Sequence, residues 1–325
     1  MPKAFLCIVL LLPLIGLAAD QTPRRHPAYH QMEEAARRDL IALRSLYYHK
    51  VAKGLEDETL DPNQTGVIGV EFSSITSTIG LLKAKRTGAN PDFAAYVVRE
   101  LVDHGLTSDD TVLVTMTGSF PGVNIAVLSA LETLEIPSVR ISSLGASSYG
   151  ANQESFTWLD MEDALYVENK LDQRSDFVTL GGTGDVGGGL PEGGRWQLRR
   201  TADRLDYKVV EAKSLRRQSA LRRKLLGSAR EYKLLINVGG NQAMLGKGKE
   251  GRELPGGWIN ADGFSEGDND NESFEGIVFE FLESGVPVLN LLHIEDIAKS
   301  AGIPIDPQPF PKIGESPVYF AGTAP

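Results

Sequence analysis

The chain has 325 residues, 42% of them hydrophobic and 23% charged, a globular composition that excludes whole-chain disorder, collagen and coiled coil. Its 33 Lys and Arg against 43 Asp and Glu leave a net charge of −10, the wrong sign for a general nucleic-acid binder, so no nucleic-acid partner is expected. The single cysteine, Cys7, excludes an intrachain disulfide and any cysteine-cluster metal site.

Met1-Pro2-Lys3 leads into an uncharged apolar run from Ala4 to Leu17. Gly16-Leu17-Ala18 then has the small-x-small form that a signal peptidase cleaves, with Asp20 just beyond. The rival reading is an uncleaved anchor. Against it, the run is shorter than the roughly 20 residues that cross a bilayer, Pro13 interrupts it, and Arg24-Arg25 stand on the wrong side for an N-in orientation. Residues 1–19 are thus a signal peptide or membrane anchor. On both readings the body is exported across the cytoplasmic membrane, either secreted or N-terminally anchored, with a net charge of −11 once the signal is cut. Residues 20–30, holding Pro23, Arg24, Arg25, His26 and Pro27, read as a linker. Residues 31–325 read as one large α/β domain, with a subdivision near 190 as the alternative.

Apolar positions at Met32, Ala35, Ala36, Leu40, Leu43 and Leu46 predict a helix over about 28–53. An acidic loop follows to Gln64, then a short β-type run over 66–70 and the hydroxyl-rich Ser73-Ser74-Ile75-Thr76-Ser77-Thr78. A helix is expected over 91–104 with Asn90 as its cap. Thr111–Met116 is a buried-type strand, Thr117–Gly122 a tight turn, Val123–Leu134 an apolar helix and Ser138–Ser142 another strand. Further strands are expected at 177–180, 234–238 and 286–290, and a last helix near 294–301. Strands that alternate with helices and end in Gly, Ser or Asn predict an α/β fold with a mostly parallel, Rossmann-like layered sheet and flanking helices. Ligands of such sheets sit outside the carboxyl ends of the strands.

Thr117-Gly118-Ser119-Phe120-Pro121-Gly122 carries the chain from a strand into a helix, where free N–H groups favour a carboxylate or phosphate. Ser119 either holds that ligand, attacks a carbonyl, or simply caps the helix. Gly181-Gly182-Thr183-Gly184-Asp185-Val186-Gly187-Gly188-Gly189 matches dinucleotide spacing from Gly182, but Leu190-Pro191 is a poor helix start and no Walker lysine is present. It reads instead as a ligand-hugging or flexible loop with Asp185 as an acid, a base or a cation ligand. The hydroxyls at 73–78, followed by Lys83, Lys85 and Arg86, suit a carboxylated substrate or form a polar turn. No Ser-x-x-Lys pair occurs there. Between Arg195 and Lys233 thirteen Lys and Arg face only Asp203, Asp206, Glu211 and Glu231, and Arg216, Arg223 and Arg230 recur every seven residues. That segment is a polyanion track, a lipid-headgroup contact, or an exposed helix paired with acidic neighbours. Asp268, Asp270 and Glu272 offer oxygen ligands for Ca²⁺ or Mg²⁺ without EF-hand spacing. His293, beside a strand end, is a candidate base.

The stretches Gly69–Thr78, Ala84-Lys85-Arg86-Thr87, Asn90–Ala94, Gly118-Ser119-Phe120-Pro121, Ser142–Ser147, Tyr149-Gly150-Ala151-Asn152, Phe156–Glu162, Gly181–Asp185, Pro304–Pro307 and Gly314–Tyr319 resemble the bacterial poly-γ-glutamate system protein family. The resemblance runs from about residue 30 to the end. It implies a protein encoded beside a poly-γ-glutamate synthetase and its membrane partner, with an N-terminal membrane-targeting segment. It carries no catalytic residue.

The expected function is that of an exported, membrane-associated accessory protein of poly-γ-glutamate synthesis, export or retention, partnered by the polymer and the membrane-bound synthase complex. The alternative is a Ser/Thr-dependent hydrolase or transpeptidase acting on the γ-amide, with Ser119 or a hydroxyl of 73–78 as nucleophile and Asp160, Asp185 or His293 as base. Ligand-binding candidates are Ser73, Ser74, Thr76, Lys85 and Arg86; Gly118 and Ser119; Ser147 and Asn152; Gly182, Thr183 and Asp185; Asn237; and Arg216, Arg223 and Arg230.

Overall fold

The computed structural model describes residues 24–262 and 276–322. The signal or anchor segment 1–19 and the acidic candidates Asp268, Asp270 and Glu272 lie outside the described residues. Among the described residues no helix is long and apolar enough to cross a membrane.

Six strands make the central sheet: β1 (Val112–Thr117), β2 (Ser138–Ser143), β3 (Phe177–Thr179), β4 (Leu234–Val238), β5 (Gly257–Ile259) and β6 (Val288–Leu291). Their spatial order is β3-β2-β1-β4-β6-β5. Every neighbouring pair is parallel except β5 with β6, so the sheet is mostly parallel with one antiparallel edge. β1 and β4 are buried along their whole lengths, which explains their mostly apolar character in sequence. The sheet joins strands from both sides of residue 190, β1 pairing directly with β4.

Helices flank the sheet. α1 (Tyr29–Ala52) comes first, followed by α2 (Leu82–Gly88), α3 (Asp92–Asp103), α4 (Pro121–Thr133), α5 (Trp158–Val167) and α6 (Glu192–Arg204). The second half adds α7 (Leu215–Leu226), the short α8 (Gln242–Leu245) and α9 (Lys249–Glu253), α10 (Ile277–Glu283) and α11 (Ile294–Ala301). Alternation along a strand sends successive side chains to opposite faces. Val112, Val114 and Met116 enter the larger core with Met32, Leu43 and Leu46 of α1 and the apolar faces of α3 and α4. Leu113, Leu235 and Val288 enter a second core with Leu226 of α7, Met244 of α8 and Phe281 of α10. Pro121 occupies the first turn of α4, where its missing N–H costs nothing.

Three expectations shift. The 66–70 run forms no strand; Val67 and Ile68 are buried there, and the main chain is tied by the Gly69 N–H to Tyr149 O. The hydroxyl-rich segment supplies a strand instead, Thr76–Thr78, pairing in parallel with Ala146–Ser147. The cap position of α3 is Pro91 and not the expected Asn90, and no side chain caps it; Asn90 stands one residue earlier, its Oδ1 accepting from the Asp92 N–H at 3.1 Å.

The connections decide where a ligand would sit. From β1 the chain proceeds outward through β2 to β3, and β4 then opens the other half of the sheet. The loops leaving β1 and β4 therefore diverge, opening a crevice at their carboxyl ends.

Candidate functional site

That crevice is a cleft of about 390 Å³. Thr117 and Ser119 reach it from the end of β1, Ser143 and Ser147 from β2, Gly181–Thr183 from β3, and Gly240–Gln242 from β4. The Ser77–Leu81 segment and Lys85 of α2 close the remaining side. Although the chain is acidic overall, no Asp or Glu lines the cleft among the described residues.

α2 sorts three neighbouring cations by helical rotation. Lys83 points outward to Glu295 at 2.9 Å. Arg86 makes a two-pronged pair with Asp306, both contacts 2.7 Å, and so pins the C-terminal segment; it does not line the cleft. Lys85 faces inward and is buried. Its Nζ donates to Ser119 O at 2.6 Å and to Ser147 Oγ at 2.7 Å, and lies 3.5 Å from the centre of the Phe120 ring. No carboxylate pairs with it among the described residues. Burial therefore acts almost unopposed and lowers the Lys85 ammonium to about 7.

Ser119 is held differently from the sequence expectation. Its Oγ accepts the Ser147 N–H at 3.0 Å, and its carbonyl, not its hydroxyl, meets Lys85. Neither Asp160, Asp185 nor His293 lies beside it. Asp160 is spent in the capping box of α5 with Thr157. His293 precedes α11 and borders a separate hollow with Arg252 and Asp296. Gly118 donates its N–H to Ser143 O at 2.8 Å, which ties the β1 turn to β2.

Beneath the cleft lies a buried polar cluster. Asp185 Oδ2 meets Arg222 Nε at 2.8 Å, while its Oδ1 accepts from Thr179 Oγ1 at 2.6 Å and Asn241 Nδ2 at 2.7 Å. Arg222 also donates to Ser143 Oγ at 2.8 Å. Asp185 is 0% exposed, so it organises the floor and is unavailable as an acid or base at the surface. The glycine loop above it folds back on itself, with bridges from Gly181 to Val186 and from Thr183 to Gly188. Gly182 is required there: its φ is +66°, and a Cβ would lie 2.6 Å from Gly188 O.

Other candidates serve the frame. Asn152 Nδ2 donates to Val70 O at 2.7 Å and Thr76 Oγ1 at 3.0 Å, and Thr76 Oγ1 accepts the Ser73 N–H at 2.8 Å. Ser74 receives Glu154 on its N–H at 3.3 Å. Ser73, Ser74, Thr76 and Asn152 thus clasp the loop instead of lining the cleft. Asn237 belongs to a buried ladder across three strands, accepting from Thr115 Oγ1 at 3.0 Å and donating to Asn290 Oδ1 at 2.9 Å.

The arginine track is divided. α7 ends at Leu226, so Arg230, in the turn Ala229–Glu231, leaves the face carrying Arg216 and Arg223. Arg223 clasps Glu280 through Nε at 2.7 Å, while Arg199 pairs with Glu211 and Arg204 with Asp160. None of Arg216, Arg223 and Arg230 lines the cleft.

The structure adds residues that the sequence did not single out. Thr117 Oγ1 is buried, borders the cleft and has no hydrogen-bond partner among the described residues. Asn241 and Gln242 follow the Gly239-Gly240 strand end, and the strand-end rule was the signal that could have found them. Among the described residues no group of three or more His, Cys, Asp and Glu is placed to hold a metal ion. No protein-family model, curated protein or solved structure matches the chain.

Proposed function

We propose that this chain is an exported accessory protein of a poly-γ-glutamate system, working beside the membrane-bound synthase complex, and that the strand-end cleft seats the polymer. The sheet is read with this as a Rossmann-like layered frame put to use at the divergence of β1 and β4. The observation that carries the reading is Lys85: a buried amine that among the described residues has no carboxylate partner and lies in a cleft lined by no acidic side chain, within an acidic chain. A carboxylate of the polymer supplies the missing counter-charge, and the surrounding hydroxyls, Thr117 among them, supply donors to its second oxygen. The negative charge elsewhere on the surface discourages contact outside the cleft.

The test is binding of defined γ-glutamate oligomers to the full chain by calorimetry at low and high salt. Expected are an affinity that falls with salt and, near pH 8, net proton uptake on binding, because a carboxylate beside Lys85 raises an ammonium that starts near 7. Lys85→Met removes both. Oligomer binding with no proton uptake and no dependence on Lys85 would place the polymer elsewhere and overturn this assignment.

A further inference from the structure

We propose that Ser147 is a nucleophile and Lys85 its general base, and that the pair transfers the acyl group of a γ-glutamyl amide. The substrate class rests on the polymer reading above; the nucleophile does not.

Nζ of Lys85 and Oγ of Ser147 are 2.7 Å apart although 62 positions separate them in the chain. Both border the cleft, and they are only 5% and 6% exposed. A serine hydroxyl attacks a carbonyl only when a base within hydrogen-bond reach takes its proton. Lys85 meets that condition in distance and in proton affinity, since burial lowers it to about 7, while the Phe120 ring partly offsets that burial by favouring the ammonium. As a neutral amine Lys85 keeps one N–H on Ser119 O and turns its lone pair toward the Ser147 hydroxyl. Both partners are fixed. Ser147 ends a strand paired with Thr78, and its N–H is held by Ser119 Oγ. Gly80 passes directly over them: a Cβ there would stand 3.0 Å from Ser147 Oγ and 3.2 Å from Lys85 Cε. The same Cβ would lie 2.7 Å from Ser148 O, so a glycine is what lets the main chain cover the pair this closely. Ser119, one nucleophile candidate of the alternative reading, accepts the Ser147 N–H at its Oγ and has no such base there among the described residues.

The chemistry closes without a further reagent. Ser147 Oγ adds to the γ-carbonyl carbon as its proton passes to Lys85, giving a tetrahedral oxyanion and an ammonium. Collapse breaks the C–N bond, and Lys85 gives the proton to the departing amine, leaving an ester on Ser147. Water, deprotonated by Lys85, or the amine of another chain resolves that ester, and the last proton returns to Ser147. An internal γ-amide is uncharged and leaves Lys85 free to accept a proton. The γ-carboxylate released at a new chain end favours the ammonium, so the same cleft that cuts an internal bond holds the resulting end.

The experiment treats the full chain with a β-lactone, an acylating probe unrelated to glutamate, and maps the added mass by peptide mass spectrometry. γ-Glutamate oligomers are incubated in parallel and their lengths followed. Expected are a modification on Ser147 whose rate rises with pH to a plateau, half-maximal near 7, a fall of about 100-fold or more in Lys85→Met, and oligomer shortening that Ser147→Ala abolishes. Melting curves of both variants separate loss of the pair from loss of the fold, and Lys85→Arg, which keeps the charge without a usable lone pair, is expected to fail as Lys85→Met does. Ser147 modified with oligomers left intact would support the pair and overturn the substrate class. Oligomers bound with Ser147 unmodified would overturn the pair and leave the binding reading standing. Neither binding nor modification would overturn both.

Discussion

Arg222 and Asp185 meet in full burial beneath the cleft, Nε 2.8 Å from Oδ2, and neither side chain exposes more than 1% of its surface. The remaining oxygen of Asp185 is satisfied by Thr179 and Asn241, so the pair fastens the glycine loop to α7 and to the segment after β4. Removing the guanidinium leaves a carboxylate in the interior without its counter-charge. Arg222→Met is therefore expected to destabilise the fold by about 3–5 kcal/mol. The double change Arg222→Met with Asp185→Asn is expected to cost less than the two single changes summed, because each single change also strands the other partner. Urea denaturation of the three variants measures this, and strict additivity would show that the two residues do not act as a pair.

Lys85 sets a pH dependence of stability whose sign follows from its lowered affinity for the proton. Folded, it titrates at about 7; unfolded, it titrates near the ordinary lysine value of about 10.4. Between these values the unfolded chain binds the proton more tightly, so stability from this group rises with pH across that window. Below about 7 the folded protein carries a desolvated ammonium and the penalty is complete. Lys85→Met lacks the penalty at every pH. Its melting temperature relative to the natural protein is therefore expected to be higher at pH 6.5 than at pH 9, and an equal difference at the two pH values would mean that Lys85 titrates normally.

The sheet was legible because β1 and β4 are buried along their whole lengths and their sequences are mostly apolar, each followed by a turn-forming glycine. The cleft followed from the same reading, since parallel strands present their carboxyl ends together. The partner of Lys85 was not legible. Ser147 lies 62 positions away, and only the pairing of Thr76–Thr78 with Ala146–Ser147 brings it near. Asp185 looked like free chemistry because the loop around it is rich in glycine, and sequence does not reveal that Arg222 of a later helix satisfies it. The arginine repeat misled for a related reason: spacing by seven has meaning only while the helix lasts, and α7 stops at Leu226.

A buried acid far from the cleft gives the opposite pH response. Asp39 of α1 is buried, and that burial, reinforced by the charge of Asp92, holds its carboxyl well above the usual aspartate range. Its Oδ1 has no hydrogen-bond partner among the described residues. The folded state therefore binds this proton more tightly than the unfolded state, and stability from Asp39 is full below the ordinary aspartate value of about 3.9 and declines as pH rises toward the folded value. Asp39→Asn keeps the shape and removes the titration. It is expected to melt above the natural protein at pH 7.5 and to lose most of that advantage at pH 4.5. A gain that does not change with pH would show that Asp39 is already ionised in the fold.

Polymer contact through the cleft and polymer contact through the arginines of α7 make different demands on the same variants. Arg223 already holds Glu280, Arg230 sits beyond the end of the helix, and Arg216 is exposed but does not line the cleft. An exposed cation contributes a screened attraction, whereas Lys85 offers a desolvated contact whose worth depends on direct approach. Replacing Arg216, Arg223 and Arg230 together by Ala is therefore expected to lower oligomer affinity by less than about threefold at 150 mM salt, roughly the share of a kcal/mol that a surface ion pair carries. Lys85→Met is expected to cost tenfold or more under the same conditions. Calorimetric titration of both variants with one oligomer decides between the surfaces. A larger loss from the triple variant would move the polymer onto α7 and leave the cleft for another ligand.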